Sequence, residues 1–309
     1  MITTNRLVQQ IAPGRYAPRA ELINRLPAFL SINPADSVDS VLPVAVTTTP
    51  LMLNFTQPNF MHDHPSYIML ENLVFEDSSD GTASNNCSIK LTDSGYNRDL
   101  MAYPLHMRAI FGTAQLPGVF YEPLILQANG NIRAQIQKIS GGSVNLRPYL
   151  VGTEFFDEDK RVVNALLERK KFVSPFWLTP DNVTLISLAG NASANYISQN
   201  GRGHFQASSI VAISSGNFSL ELLETKTNRT IMNGAISQTN GIGNANYPHE
   251  FKTPFTIPRG FDTRWKITNL TGSTNNIYVA LAGKMYECPL RHIPQVERDL
   301  MIPYDKVRL

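Results

Sequence analysis

The chain repeats itself. Shifted by 131 positions, the segment from Cys87 to Phe155 lies on the segment from Phe218 to Tyr286 without a gap, and 16 of 69 positions are identical. Unrelated segments of ordinary composition would share about 4 or 5. The shared residues fall in blocks. Asn97, Arg98 and Met101 match Asn228, Arg229 and Met232; Gly112, Ala114, Pro117, Phe120 and Pro123 match Gly243, Ala245, Pro248, Phe251 and Pro254. Further on, Arg133, Ile136, Gly141, Asn145, Leu150 and Gly152 match Arg264, Ile267, Gly272, Asn276, Leu281 and Gly283. Upstream, "YIMLENLVF" from Tyr67 corresponds to "HFQASSIVA" from His204 after a small slip, with the loop "EDSSDGTASNN" longer in the first copy. Length differences belong in loops. Solenoid repeats run to roughly 20–50 residues. This unit is over 100 residues long, so it describes two whole domains.

Within each copy apolar residues alternate. Phe218, Leu220 and Leu222 point one way with Ser219 and Glu221 between them, and Ile277, Val279 and Leu281 repeat the pattern. Period two is the mark of half-buried strands, and turn clusters such as "SGG" after Ser140 and "TGSTNN" after Thr271 separate them. Each copy therefore reads as a β-sandwich of about eight strands. Between Asp157 and Lys171 the alternation breaks. Val162, Val163, Leu166 and Leu167 fall at helical spacing, acids open the segment and bases close it, as a helix dipole favours. A second short helix is expected from Arg19, ended or kinked by Pro27. The expected layout is a basic arm (1–34), a first sandwich (35–156), a linking helix (157–171), a second sandwich (172–288) and a tail (289–309).

Composition narrows the function. Charged residues make up 17% against a usual value of about 25%, which suits a surface largely covered by partners. A net charge of +2 is too near balance to indicate a nucleic-acid binder by itself. Its distribution is uneven. Arg6, Arg15, Arg19 and Arg25 share the first thirty residues with one acid, Glu21, and with Pro13, Pro18 and Pro27. No apolar run approaches the roughly 20 residues of a membrane span, and no secretory leader pattern opens the sequence. The expectation is a protein neither exported by a classical signal nor membrane-spanning. Cys87 and Cys288 are too few for a disulfide framework and read as buried thiols.

No motif for catalysis stands out. His62 and His64 in "HDH" share a strand face, but Pro65 follows and no further ligand cluster has standard spacing, so a polar loop is the better reading. GxSxG, P-loop, HExxH and GxGxxG patterns are absent from the sequence. Neither a catalytic residue, a metal site nor a cofactor is expected. Trp265, on the apolar face of an alternating strand, and Trp177 both read as packing residues rather than sugar platforms. The duplicated polar positions have structural readings. Asn97 and Asn228 end strands where left-handed φ is tolerated, and Arg98 and Arg229 can reach nearby carboxylates or carbonyls. Arg133 and Arg264 lie mid-strand facing out, placed for a lateral contact between domains. Gly152 and Gly283 are expected to end the last strand of each copy and to permit close backbone approach.

A duplicated eight-strand sandwich of about 120 residues per copy, with a basic arm, a linking helix and a tail, resembles the double jelly-roll capsid proteins of tailless, membrane-containing phages. The resemblance spans roughly Ala35 to Tyr286 and lies in architecture and duplication. It implies an all-β chain of two jelly-roll-like sandwiches, a virion location after synthesis in the host cytoplasm, and trimers that tile as pseudo-hexamers. The implied partners are copies of the chain, other virion proteins, and an internal membrane or the genome through Arg6, Arg15, Arg19 and Arg25. A tailed-phage decoration, collar or tail protein and a carbohydrate-binding adhesin module are the alternatives.

Overall fold

The computed structural model describes residues 8–12, 15–18, 25–31, 40–42, 50–56, 67–77, 87–127, 130–138, 144–155, 160–181, 185–226, 228–232 and 234–299. The first part holds β1 (Val8–Ala12), β2 (Arg15–Pro18), β3 (Arg25–Ser31), β4 (Ser40–Leu42), β5 (Leu51–Thr56), β6 (Tyr67–Asp77), β7 (Cys87–Asp93), β8 (Arg98–Asp99) and β9 (Leu105–His106). A single helical turn, α1 (Met107–Ile110), precedes β10 (Gly118–Leu126), β11 (Asn131–Lys138) and β12 (Val144–Phe155). Helix α2 (Lys160–Phe172) leads into β13 (Val173–Leu178), β14 (Ile186–Leu188), β15 (Ser193–Gln199), β16 (His204–Ser214), β17 (Phe218–Glu224) and β18 (Ile236–Ser237). The turn α3 (Gln238–Gly241), strands β19 (His249–Ile257), β20 (Asp262–Asn269) and β21 (Asn275–Tyr286), and helix α4 (Ile293–Asp299) follow.

Pairing defines the fold. One sheet of the first lobe runs β10-β6-β12-β3 and the other β5-β11-β7-β8, with β4 also on β12 and β9 also on β7. Set β4 aside and take β8 and β9 together as the fifth of eight strands beginning at β3. Then the first pairs the eighth, the second the seventh, the third the sixth and the fourth the fifth, all antiparallel. That is one long hairpin rolled up into two packed sheets, a jelly roll. The second lobe repeats it as β13-β21-β16-β19 and β15-β20-β17-β18. The chain is an all-β double jelly roll with a helix between its lobes.

The sequence echo has a spatial counterpart. From β7 onward each element of the first lobe except β8 begins 131 residues before its equivalent in the second, α1 before α3 included. The offset widens to 137 between β6 and β16 and to 148 between β3 and β13 because the intervening loops differ in length. Alternation sorts side chains as expected: Ile132, Ala134 and Ile136 of β11 and Trp265 and Ile267 of β20 are buried in their own sandwiches. Each fully buried side chain of this size contributes about 1.5–3 kcal/mol. Trp265 has no exposed surface, and its indole N–H donates to Ser198 Oγ at 2.6 Å. Both cysteines are buried thiols.

Three expectations are corrected. The helix expected from Arg19 does not form over Arg25–Ser31, which is strand β3, hydrogen-bonded to β12 from Arg25↔Phe155 to Ser31↔Tyr149. Burying Ala28 and Leu30 of alternating "LPAFL" in the first core outweighs the helical tendency of the segment, and Pro27 is tolerated because β3 is an edge strand. The first sandwich thus takes in a strand that lies within the expected arm. Finally, Gly152 and Gly283 do not end their strands. They lie inside β12 and β21, opposite a bulge at which the register with β6 and β16 slips by one residue. The close approach itself is severe: a Cβ at Gly152 would sit 2.0 Å from Met69 O, and one at Gly283 1.9 Å from Gln206 O.

Candidate functional site: the seam between the lobes

Among the described residues, a group of buried charged side chains lies where the two lobes meet. Strand β21 has apolar residues on both faces. Ile277, Val279 and Leu281 fill the second core, while Ala280 and Ala282 join the core cluster of the first lobe together with Val211 of β16 and Trp177 of β13. A sheet covered on both sides loses the apolar-polar alternation. That is why "IYVALA" and "SIVAI" read as continuous runs.

The first lobe supplies the covering. Trp177 donates its backbone N–H to Leu100 O and accepts from Ala102 N–H, both at 3.0 Å, so the edge of β13 is bridged by the segment just before β9. Its indole meets the ring of Phe120 edge-on, with centroids 5.7 Å apart. The His106 ring lies 4.9 Å from that of Tyr278, and α1 packs on β16. Burial pushes the Tyr278 hydroxyl up to about 12, so it stays neutral.

The last turn of α2 adds a charged clamp. Arg169, on the helix, reaches Glu122 of β10 through two bonds, Nε to Oε1 at 2.5 Å and Nη2 to Oε2 at 2.8 Å. Its Nη2 also reaches Glu297 of α4 at 3.1 Å, and Lys284 of β21 bonds Glu122 at 3.2 Å. Glu122 and Arg169 are only 3% and 5% exposed at their side chains, so each needs the other. Burial alone would lower the Arg169 pKa, but its bonds to Glu122 and the charges of Glu122 and Glu297 hold it above the ordinary value. Burial would raise Glu297; the Tyr286 hydroxyl, Lys284 and Arg169 overcome it and hold the carboxyl below its usual range. One residue on, Lys170 pairs with buried Asp93 at 3.0 Å and lies 4.7 Å from the Tyr96 ring centroid. Burial lowers its pKa, with Asp93 opposing. The clamp ties β7, β10, α2, β21 and α4 together. Among the described residues no three His, Cys, Asp or Glu side chains gather as a metal site.

The residues singled out from sequence are spread unevenly over this picture. Asn97 and Asn228 both adopt left-handed φ, 46° and 53°, and end the same turn in each lobe. Arg98 is buried in the seam, donating Nη2 to Lys170 O at 2.5 Å with Nη1 3.6 Å from Glu287. Its counterpart Arg229 is exposed. Arg133 and Arg264 lie on the outward faces of β11 and β20; Arg264 donates to Asn228 Oδ1 at 3.3 Å within its own lobe. Gly152 and Gly283 stand at the bulges described above. Of the arm residues, Arg6 and Arg19 lie outside the described residues, Arg15 falls in β2 and Arg25 in β3; His62 and His64 are likewise outside. Sequence reasoning missed Glu122, Arg169, Lys284 and Glu297. A faint signal existed for Glu122, a lone acid inside the apolar strand "GVFYEPLIL". Nothing in the order of residues pairs it with Arg169.

No known protein family and no curated protein matches the chain by sequence. Solved structures do align along most of it. An atomic structure of Sulfolobus Turreted Icosahedral Virus aligns over 91% of this chain and 99% of its own, with 8% identity and a TM-score of 0.42. The major capsid protein P2 of Bacteriophage PM2 aligns over 84% and 98%, with 12% identity and a TM-score of 0.35. PNGase F, a glycosylasparaginase from Flavobacterium meningosepticum, aligns over 84% and 96%, with 10% identity and a TM-score of 0.31.

Proposed function

We propose that the protein is a structural component of a virion shell, assembled from copies of itself as homotrimers in which six similar lobes tile as a pseudo-hexamer. The supporting observation is the seam. Two equivalent jelly rolls meet in a buried apolar contact and a charge clamp. A chain built this way delivers a rigid tile, as an assembly subunit requires, and each chain contributes two nearly equivalent lobes to a ring.

In this reading the protein is not an enzyme and needs no cofactor; the buried acids and bases of the seam are consumed in holding the lobes. It is made in the host cytoplasm and resides in the virion. Residues 1–34, carrying Arg6, Arg15, Arg19 and Arg25, contribute the edge strand β3 at their end, and the segment before it contacts a membrane, the genome or other virion proteins. No described helix is long and apolar enough to cross a membrane. In this reading the chain divides into arm, first sandwich, linking helix, second sandwich and tail, the first sandwich beginning at β3.

The test is the absolute mass in solution by light scattering after size exclusion, followed by electron microscopy of concentrated protein. Trimers or shell-sized particles are the expected result. A monomer at every concentration rejects the shell reading and favours a decoration or sugar-binding role. A larger closed ring rejects it in favour of a collar or tail component.

A further inference from the structure

The duplication leaves one contact surface of each kind unused. Inside the chain the first lobe presents an edge, made by the segment before β9, α1 and β10, and the second lobe presents a face, the outer side of β13-β21-β16. The second lobe has an edge of the same kind in β18, α3 and β19, and the first lobe has a face of the same kind in β3-β12-β6. Among the described residues Leu166 of α2 covers Met69 at one end of that face, while the part around Phe29 and the edge at α3 stay open.

The open face is apolar where the closed one is. Phe29 occupies the position of Trp177: Phe29 pairs with Val151 and Trp177 with Ala282, and Val151 is the equivalent of Ala282. Trp177 is 3% exposed beneath the first lobe, whereas Phe29 is 61% exposed. Around it lies a cleft of about 730 Å³ lined by Phe29, Val74, Tyr149 and Val151, with Asn72 and Gln115 among its polar members. Strand β3 is also an edge strand, as β13 is before the first lobe bridges it. The backbone N–H and C=O of Phe29 correspond to the groups by which Trp177 holds Leu100 and Ala102.

The open edge complements this face in volume. Buried Ile110 on α1 becomes Gly241 on α3, while Ala280 and Ala282 on the closed face become the larger Tyr149 and Val151 on the open one. Bulk removed from the edge reappears on the face. Met101 and Phe120 remain Met232 and Phe251, both partly exposed. Glu122 becomes Thr253, so the Arg169 clamp has no equivalent here.

We infer that the outer face of the first lobe around Phe29 receives the β18-α3-β19 edge of a second copy of this chain, repeating the in-chain seam between chains head to tail. This rests on the assembly reading above and specifies its surfaces. The contact is heterologous, each copy using a different patch on its neighbour, and such contacts close into rings when the rotation permits. Lacking the charge clamp, it is weaker than the in-chain seam and concentration-dependent.

Two substitutions test it without touching either core. Phe29→Glu places a charge on an exposed ring position. Gly241→Glu adds bulk where a Cβ would meet nothing nearer than Ile236 at 3.5 Å. Thermal melting of each variant is compared with wild type, then self-association is measured by sedimentation over a range of concentrations. Each variant is expected to melt like wild type and to weaken association by about tenfold or more. Mixing the two is expected to give a one-to-one dimer and nothing larger, because only the edge of F29E and the face of G241E remain intact. If wild type associates and both variants associate equally well, the surfaces are wrong while the assembly reading stands. If the mixture builds the same oligomer as wild type, the head-to-tail arrangement is wrong. If wild type stays monomeric throughout, the assembly reading fails and this contact falls with it.

Discussion

Arg169→Met should loosen the seam. The substitution keeps the length and apolar stem of the side chain but leaves Glu122, 3% exposed, with Lys284 at 3.2 Å as its remaining described ion-pair partner. Removing one member of a buried pair costs about 3–5 kcal/mol, since the partner's desolvation is no longer compensated. Lys284 returns part of that, so the expected loss is about 3 kcal/mol, near the low end. Urea unfolding followed by far-UV circular dichroism and by tryptophan fluorescence measures it. Trp177 lies in the seam and Trp265 in the second core. If the seam opens before the lobes unfold, fluorescence moves ahead of circular dichroism in the variant, and a single two-state fit fails. The double variant Glu122→Met with Arg169→Met removes the orphaned charge and should lose less than R169M alone. A loss below about 1 kcal/mol in R169M, or a double variant whose loss equals the sum of both single losses, would refute the view that these charges are mutually dependent.

Other outcomes follow from the same geometry. Gly152→Ala and Gly283→Ala should each destabilise by about 1–3 kcal/mol or more, because the new methyl forces β12 from β6 and β21 from β16, whereas Gly201→Ala, with open space around it, should be neutral in the same melts. Acid should weaken the clamp. Glu297 is held below the usual carboxylate range, so its contribution is fully present above about pH 4.5 and is lost as pH falls through the folded-state value. E297Q should therefore show a shallower acid limb in melting temperature against pH; an unchanged limb would discount that carboxylate. Deleting residues 1–24 should leave both lobes with native melting and impair particle formation, as read by electron microscopy, and undiminished particle yield would remove the arm from assembly.

Much of the architecture is legible in the order of residues. The two-fold echo and the period-two runs depend on local rules: a half-buried strand must alternate, and a turn must use residues that tolerate it. Asn97 and Asn228 show how local that information is, since left-handed φ is a property of a residue and its immediate neighbours. The helix expected from Arg19 shows where it ends. Over "RLPAFLS" the alternation of Leu26, Ala28 and Leu30 competes with a helical tendency, and β12, more than a hundred residues away, decides the outcome.

The seam was beyond sequence for the same reason. That the chain is two copies of one β-sandwich joined by a helix can be read from the order of residues, where duplication and periodicity are both written. That equivalent positions have different fates, Arg98 buried and Arg229 exposed, Trp177 covered and Phe29 open, depends on how the lobes pack. Burial is a property of what lies on the other side of a sheet. Two lobes stacked face to edge can cover one face and one edge, and must leave the other of each bare.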